Sequence, residues 1–296
     1  GRSGAISWLD ASGNLWLFGG QGRSASALGS LNDLWKWDGT NWTWMSGSDG
    51  PGQSGTYGTR GLPAPGNVPG ARYRSVSWTD VNGDLWLFGG YGDAVGDSGY
   101  LNDLWRWDGT SWTWMSGSTA AGQFGSYGTR GSAAPGNTPG GRQDPVSWTD
   151  ASGSLWLFGG FGLTAIDQGS LNDLWKWDGT SWAWMGGANG VIQHGTYGTK
   201  GVAAPGNLPG ARDDSVSWTD TAGKLWLLGG QGFAASGLAG KLNDLWSWDG
   251  SDWIWVSGSN ETGPFGTYGV KGVAAPGNVP GGRSGSVSWT STNGDR

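Results

Sequence analysis

Four near-copies of one unit of about 70 residues make up this 296-residue chain. The clearest marker is a tryptophan-rich stretch that reads LNDLWRWDGTSWTWMSG from Leu101 and has close copies from Leu31, Leu171 and Leu242. An arginine opens each unit and also follows the fourth one: Arg2, Arg72, Arg142, Arg212 and Arg283. A repeat of this length is a supersecondary module that cannot bury a core alone, so neighbouring copies must stack to form the core.

Each unit is predicted to form four β-strands, described here for the second copy. The Asn-Gly at 82–83 and the Asp-Gly at 108–109 are dipeptides typical of tight hairpin turns. A variable loop of about ten residues is expected between the second and third strands. The four predicted strands are residues 75–78, 85–88, 103–107 and 112–115.

The second predicted strand is apolar on both faces. Leu85 and Leu87 point one way, whereas Trp86 and Phe88 point the other. A strand that is apolar on both faces must be covered on both, and sheets stacked radially in this way form a β-propeller. All 25 tryptophans occupy six positions of the repeat, which favours packing between sheets over a ligand-binding surface.

These motifs resemble kelch repeats. The resemblance rests on the Gly-Gly after a hydrophobic strand, the Asn-Asp-Leu-Trp strand after it, and the arginine that opens the next unit. It covers essentially the whole chain and implies an all-β propeller of four-stranded antiparallel blades. The chain departs from the pattern by using Trp where kelch units often have Tyr, and by long Gly/Pro-rich inter-blade segments such as 55–72. The four predicted blades are 1–70, 71–140, 141–210 and 211–281, with a surplus first strand in 282–296.

The surplus strand affects how a ring could close. It consists of Ser286, Val287, Ser288 and Trp289, and it makes a fifth copy of the first strand where the other strands have four. An unpaired apolar strand promotes association. We expect it to pair outside its own ring, which gives an oligomer or filament, or else the chain is an excerpt of a longer array. The six or seven blades common in kelch-like rings favour an excerpt or a ring of two chains.

One face of the predicted propeller carries the long loops, because successive strands alternate in direction, and any ligand site is expected there. The inter-blade segments on this face repeat a tyrosine followed three residues later by a cation. Such a set could bind acidic or sugar ligands, or each tyrosine could simply pin a glycine-rich loop. The candidate binding residues are Tyr57, Arg60, Tyr127, Arg130, Tyr197, Lys200, Tyr268 and Lys271.

Composition excludes several kinds of chemistry. The chain has no cysteine and a single histidine, His194, so disulfides, thiolate catalysis and Cys-based zinc sites are excluded, and no metal or cofactor is predicted. A net charge of −6 without basic clusters disfavours nucleic acid and anionic membranes. The opening arginines are expected to pair with strand-end carbonyls or with an acid, the acids being Asp103 or Asp108 and their copies. Asp213 and Asp214 form an adjacent acidic pair that could serve acid/base chemistry.

These features predict a non-catalytic structural scaffold or a protein- or carbohydrate-binding module, not an enzyme, located extracellularly or at a cell surface. Self-association through the surplus strand is expected, and membrane insertion is not. Two alternatives stay open: a kelch-like enzyme that acts on sugars at the long-loop face, and a lectin. An enzyme should have an asymmetric pocket where one copy differs chemically, and a lectin should have several equivalent sites with exposed rings.

Overall fold

The computed structural model describes residues 1–10, 12–221 and 223–288. Within these ranges every regular element is a β-strand, and all strands pair antiparallel. The protein is therefore all-β, as the sequence predicts. None of the described segments forms a helix that is long and apolar enough to cross a membrane. We call the four repeats unit 1 to unit 4, with the bounds given above.

The strands follow the same order in each unit. Unit 1 contains β1 (Arg2–Ser3), β2 (Ile6–Leu9), β3 (Leu15–Phe18), β4 (Gln21–Arg23), β5 (Leu28–Ser30), β6 (Leu34–Trp37) and β7 (Trp42–Ser46). Unit 2 contains β8 (Arg72–Tyr73), β9 (Val76–Thr79), β10 (Leu85–Asp93), β11 (Ser98–Trp107), β12 (Trp112–Ser116) and β13 (Ala133–Ala134). Unit 3 contains β14 (Arg142–Gln143), β15 (Val146–Thr149), β16 (Leu155–Phe158), β17 (Phe161–Leu163), β18 (Gln168–Ser170), β19 (Leu174–Trp177) and β20 (Trp182–Gly186). Unit 4 contains β21 (Arg212–Asp213), β22 (Val216–Thr219), β23 (Leu225–Gly232), β24 (Gly240–Trp248) and β25 (Trp253–Ser257).

Most of the predicted variable loop is paired strand. In unit 2, β10 continues past the Gly-Gly pair and β11 starts at Ser98, so Tyr91 pairs with Tyr100. The glycines allow this because both have positive φ angles, and the register shifts between Phe88 and Gly90. A Cβ on Gly90 would lie 2.7 Å from the backbone carbonyl oxygen of Tyr73, which disfavours any larger residue. Only the turn at 94–97 is left as a loop.

The sheets stack face to face, in chain order. Leu85 and Leu87 pack against unit 1, whereas Trp86 and Phe88 pack against unit 3, as the two-faced pattern predicts. Aromatic rings join the sheets edge to face: the Phe88 and Trp182 ring centroids are 5.5 Å apart. The cluster between units 2 and 3 comprises Trp78, Trp86, Phe88, Leu104, Tyr127, Leu155, Leu157, Trp175, Trp177 and Trp182.

A buried ion pair anchors each junction. The guanidinium of Arg72 donates to both carboxylate oxygens of Asp103, at 2.6 and 2.7 Å, and neither side chain is more than 1% exposed. The hydroxyl of Tyr57, from the preceding unit, donates to the same carboxylate at 2.8 Å. Of the two acids that the sequence offered, Asp103 is the partner, because Asp108 instead accepts from the backbone amides of its own turn.

The same three-residue group recurs at the next two junctions. Arg142 and the Tyr127 hydroxyl both donate to Asp173, and Arg212 and the Tyr197 hydroxyl both donate to Asp244. Burial alone would raise the pKa of the Asp244 carboxyl, but the Arg212 guanidinium and two hydrogen bonds hold that pKa below its ordinary value. The Asp244 carboxylate is therefore charged, and each of the three carboxylates accepts from an arginine and a tyrosine. We call these groups the junction triads.

Residues 283–288 continue the repeat beyond unit 4. The backbone N–H of Gly230 donates to the Arg283 carbonyl, as Gly20 N–H donates to Arg72. The Ser288 hydroxyl donates to the Ser217 carbonyl at 3.3 Å. Residues 286–288 thus lie along the innermost strand of unit 4 without being assigned to a strand, and Trp289 lies outside the described residues. Pairing of this segment with another molecule stays a prediction.

We expect Arg142→Met to lower the free energy of unfolding by about 3–5 kcal/mol, because it leaves the fully buried Asp173 carboxylate without its counter-charge. Arg2→Met is the matched control, since the Arg2 and Asp33 side chains are 21% and 11% exposed and water can replace part of the lost contact. Urea denaturation monitored by tryptophan fluorescence measures both. Equal losses in the two variants would show that burial of the triad does not determine its contribution.

Candidate functional site

The strand pairing places the long connections on one face. In unit 2 the short turn at 80–84 is closed by the Asp80 carboxylate, which accepts from the backbone of Asn82 and Asp84. The opposite ends of β9 and β10 carry the turn at 94–97 and the connection from unit 1. Tyr73, which follows that connection, pairs with Tyr91. The opening arginines therefore lie at the same end of the strands as the long loops, on the long-loop face.

Three of the four tyrosines in the predicted tyrosine and cation set are buried between units. Tyr57, Tyr127 and Tyr197 are at most 7% exposed, and their hydroxyls belong to the junction triads. This is the loop-pinning arrangement that the sequence left open. A ligand-binding role for the set stays a prediction.

The cations of the set contact the following unit. The Arg60 guanidinium lies 4.3 Å from the Trp114 ring centroid and donates to the Gly117 carbonyl. Lys200 lies 4.4 Å from the Trp255 ring centroid, and Arg130 donates to the Met185 carbonyl. Tyr268 differs from the other three tyrosines, because its side chain is 80% exposed.

A different group of side chains meets where the innermost strands begin. The two positions after each opening arginine differ from copy to copy: Ser-Gly, Tyr-Arg, Gln-Asp, Asp-Asp and Ser-Gly. Together with three aromatic residues from the neighbouring hairpins they form what we call the rim cluster. Its members are Tyr73, Arg74, Tyr91, Tyr100, Asp144, Phe161, Asp213 and Asp214.

Backbone hydrogen bonds set these positions side by side. Arg74 N–H donates to the Gly4 carbonyl at 2.8 Å, and Asp144 N–H donates to the Arg74 carbonyl at 2.9 Å. Asp214 N–H donates to Asp144, and Gly285 N–H donates to Asp214. The same position of each successive unit is thus bonded to the one before, which brings residues about 70 positions apart into contact.

The backbone at these positions has a conformation that suits glycine. Arg74, Asp144 and Asp214 have φ angles of 57°, 49° and 56°, close to the 62° of Gly4 and the 63° of Gly285. A non-glycine residue in this left-handed region costs about 1 kcal/mol. Three units therefore carry a charged side chain where glycine would be less strained, a pattern that is typical of functional sites.

The charges of the rim cluster are coupled. The Arg74 guanidinium lies 2.9 Å from the Asp144 carboxylate, whose side chain is 14% exposed. Burial, together with the neighbouring Asp214 and Asp213, outweighs that guanidinium and raises the pKa of Asp144 to about 6. Burial and the Asp214 charge likewise raise the pKa of Asp213 to about 6.

A row of half-buried aromatic rings leads to these carboxylates. Ring centroids are 5.7 Å apart for Tyr73 and Tyr91, 5.2 Å for Tyr91 and Tyr100, and 6.0 Å for Tyr100 and Phe161. The hydroxyl of Ser170, which pairs with Phe161 across the hairpin, lies 3.4 Å from a carboxylate oxygen of Asp213. Units 2, 3 and 4 thus contribute different chemistry to one surface.

The sequence carried a signal for part of this cluster. Asp213 and Asp214 stand out as an adjacent acidic pair, but Arg74 and Asp144 come from other units, and only the inter-unit backbone bonds bring them near. Tyr91 and Tyr100 lie in the segment expected to be a loop, where no facing could be assigned. Their copy positions are Gln21, Phe161 and Gln231 for the first and Ser30, Ser170 and Lys241 for the second.

Metal ligation finds no support in the described part of the chain, where no three His, Cys, Asp or Glu side chains are grouped so as to hold an ion. His194 lies in the connection between units 3 and 4. Its Nδ1 is 3.2 Å from the Ala234 carbonyl oxygen, and its ring contacts Phe233 at 5.6 Å between centroids. Through these contacts the His194 side chain packs within the loops.

Comparison with known proteins supports the fold alone. No protein-family model matches the chain, and no curated protein does. Among solved structures, the chain is similar to one described as the structure of YjhT, with a TM-score of 0.53 and 15% sequence identity. The match covers 96% of this chain and 80% of that one. The stacked antiparallel sheets and this likeness together define a β-propeller-like architecture.

The raised pKa values predict a specific pH dependence of stability. A folded carboxyl with a pKa near 6 binds its proton more tightly than an unfolded one near 3.8, so lowering the pH from 7 to 5 should stabilise the fold. We expect a gain of about 1 kcal/mol for each carboxyl, and Asp144→Asn or Asp213→Asn should each remove part of it. Thermal denaturation followed by circular dichroism at both pH values measures the gain.

Asp49→Asn is the matched control for this prediction, because Asp49 is an exposed carboxylate outside the rim cluster. It should leave the gain between pH 7 and pH 5 intact. If Asp144→Asn and Asp213→Asn also leave it intact, the rim carboxyls do not titrate in this range.

Proposed function

We propose that the chain is a non-catalytic binding module built on kelch-like propeller blades, and that its ligand is a carbohydrate bound at the rim cluster. The observation that carries the proposal is the chemical asymmetry of this cluster. The frame around it repeats almost residue for residue, whereas the rim positions hold Arg, Tyr and Asp in different units. Side chains that vary on a conserved frame, at the face with the loops, are the usual arrangement for recognition.

The chemistry of the rim cluster suits a sugar. Half-buried rings such as Tyr91 and Tyr100 offer flat apolar faces, against which the C–H face of a pyranose can pack. The Arg74 guanidinium supplies hydrogen-bond donors, and the Asp213 and Asp214 carboxylates supply acceptors for ring hydroxyls. A small number of converging polar groups beside an apolar wall is typical of small-molecule sites.

The repeated tyrosines argue against a lectin with several equivalent sites. Such a protein needs the same exposed ring in every unit, but Tyr57, Tyr127 and Tyr197 are buried in the junction triads. We therefore propose a single site. An extracellular or cell-surface location is part of the proposal, supported by the Gly/Ser/Thr/Asn-rich composition and the kelch-like resemblance.

A second candidate is an enzyme that acts on sugars at the same place. The observation that favours it is the pair of carboxyls, Asp144 and Asp213, whose pKa values are both raised to about 6 beside a third carboxylate. Carboxyl groups whose pKa values are raised to this range can gain or lose a proton near neutral pH. We propose binding ahead of catalysis, because binding needs only the surface that the rim cluster provides.

Binding is tested on a glycan array with the labelled chain, followed by calorimetry with the best neutral oligosaccharide. We expect Tyr100→Ala to weaken binding at least tenfold, because it removes the ring at the centre of the aromatic row. Phe124→Ala is the matched control, since Phe124 is 52% exposed on the connection between units 2 and 3 and should leave affinity unchanged.

The two candidates separate on turnover. The bound oligosaccharide should be recovered unchanged after prolonged incubation with the protein if the module only binds. Conversion that is lost in Asp144→Asn or Asp213→Asn would establish the enzyme instead. Absence of binding to every glycan, or equal loss in Tyr100→Ala and Phe124→Ala, would rule out the rim cluster as a carbohydrate site.

A further inference from the structure

Each connection between units acts as an arm that holds the following unit. The arm of unit 1, residues 55–70, lies along β12 of unit 2: Gly61 N–H donates to the Trp114 carbonyl, and the Asn67 side-chain amide donates to the Trp112 carbonyl. Tyr57 packs against Trp114, with ring centroids 5.3 Å apart. The arm therefore adds main-chain bonds, a ring contact and a triad hydroxyl to one junction.

The next two arms repeat these contacts. Asn137 donates to the Trp182 carbonyl and Asn207 to the Trp253 carbonyl. Gly131 and Gly201 donate to the carbonyls of Trp184 and Trp255. Three copies of one interface within the chain define which groups an arm needs in the unit that it holds.

The arm of unit 4, residues 266–281, has the internal hydrogen bonds of the other arms, but among the described residues no following unit packs against it. Thr267 and Val279 exchange the same backbone bonds as Thr56 and Val68 in the first arm. The Asn278 side chain donates within the arm to the Val273 carbonyl, as its copies do in the other arms. Yet Tyr268 is 80% exposed, against 5% for Tyr57.

Unit 1 presents the complementary surface, also uncovered. Trp42 and Trp44, on its outermost strand, are 46% and 48% exposed. The Trp42 copies Trp112 and Trp182 are fully buried, and the Trp44 copies Trp114 and Trp184 are partly buried. An apolar groove of about 280 Å³ lies between Leu17, Trp35, Trp42 and Arg2. Its counterpart in unit 2 receives Tyr57, which packs on Trp105 at 4.8 Å between centroids.

The acceptor for the missing tyrosine is in place. Asp33 is held by Arg2 at 2.7 and 2.8 Å and by the Trp35 indole at 2.7 Å, as Asp103 is held by Arg72 and Trp105. The third bond, from a tyrosine of a preceding unit, is the one that Asp33 lacks among the described residues. Unit 1 thus carries an incomplete junction triad, and Tyr268 is the hydroxyl that would complete it.

We propose that a second copy of this chain docks head to tail, with the unit 4 arm of one copy holding unit 1 of the next. By equivalence with the internal junctions, Tyr268 donates to Asp33, Lys271 lies over the Trp44 ring, and the Asn278 amide donates to the Trp42 carbonyl. The occupant is a second copy because the three internal junctions show that this arm sequence recognises this unit surface. The interface is heterologous, so it closes a ring of copies or extends as a fibre.

Residues 283–288 constrain how the copies fit. They lie along β22 of unit 4, in the innermost place that β2 of a docked copy would take. One of the two segments must yield that place, whereas the arm contacts are at the outer strand and are not affected. The proposal therefore differs from association through the surplus strand, and it is independent of ligand binding at the rim cluster.

The test uses the absence of cysteine in the chain. We mix the single variants Lys271→Cys and Trp44→Cys at high concentration, which offsets the affinity lost with the Trp44 ring, and treat them with a short bis-maleimide. The expected product is a cross-linked pair of two chains that contains one of each variant. Lys200→Cys with Trp255→Cys in a single chain is the positive control, because these side chains already lie 4.4 Å apart across an internal junction.

Sedimentation equilibrium gives the quantitative readout. We expect the unmodified chain to associate reversibly, and Tyr268→Ala or Trp44→Ala to raise the dissociation constant at least tenfold. Tyr268→Ala should also leave urea denaturation in dilute solution unchanged, because Tyr268 is 80% exposed. Phe265→Ala is the matched control, since Phe265 is 98% exposed and lies just before the arm.

Three results would overturn the proposal. The first is a chain that stays monomeric at every concentration. The second is a Lys271→Cys, Trp44→Cys double variant that cross-links within one chain, which would mean that unit 4 holds its own unit 1. The third is association that survives Tyr268→Ala and Trp44→Ala but is lost when residues 282–296 are removed, which would assign it to the surplus strand.

Discussion

The structure depends on a carboxylate that two neighbouring units share. Asp103 is fully buried and would be strongly disfavoured there without compensation, but Arg72 from its own unit and Tyr57 from the preceding one satisfy it together with the Trp105 indole. Neither unit alone can satisfy this charge. Stacking the sheets therefore does more than bury apolar surface: it sets the distance and register between units, because the tyrosine hydroxyl reaches the carboxylate in only one arrangement.

Much of this frame could be predicted from the sequence, for a physical reason. Strand parity and the two-faced Leu-Trp-Leu-Phe strand constrain packing locally, so the stacked all-β architecture followed from residues close together in the chain. The choice of Asp103 over Asp108 as the partner of Arg72 did not, because 31 residues separate Arg72 from Asp103. The variable loop was mispredicted because Gly89 and Gly90 look like a strand end, whereas their positive φ angles produce a bulge through which pairing continues to Asp93. The rim cluster escaped prediction because it assembles Arg74 and Asp144 through inter-unit backbone bonds, which no local pattern encodes.

The separation between frame and rim explains how a repetitive chain can hold a distinctive site. Positions in the junction triads cannot change independently, since a lost charge or hydroxyl leaves a buried partner unsatisfied. The residues after each opening arginine face no such constraint: their backbone bonds to the next unit whatever the side chain, at the cost of a left-handed conformation. Three units have this conformation and so place Arg74, Asp144 and Asp214 together, on the surface where recognition is proposed.

The same logic explains why the two ends of the array matter. In a repeat protein each unit interacts only with its neighbours, so an end unit keeps half of an interface that is complete everywhere else. Unit 1 leaves two tryptophans half exposed, and unit 4 presents an arm with its tyrosine in solvent. An apolar surface with a preformed partner of matching chemistry supports the proposed docking. Because the arm keeps its internal hydrogen bonds, little conformational entropy is lost when it closes on a unit 1 surface, and this preorganisation favours docking.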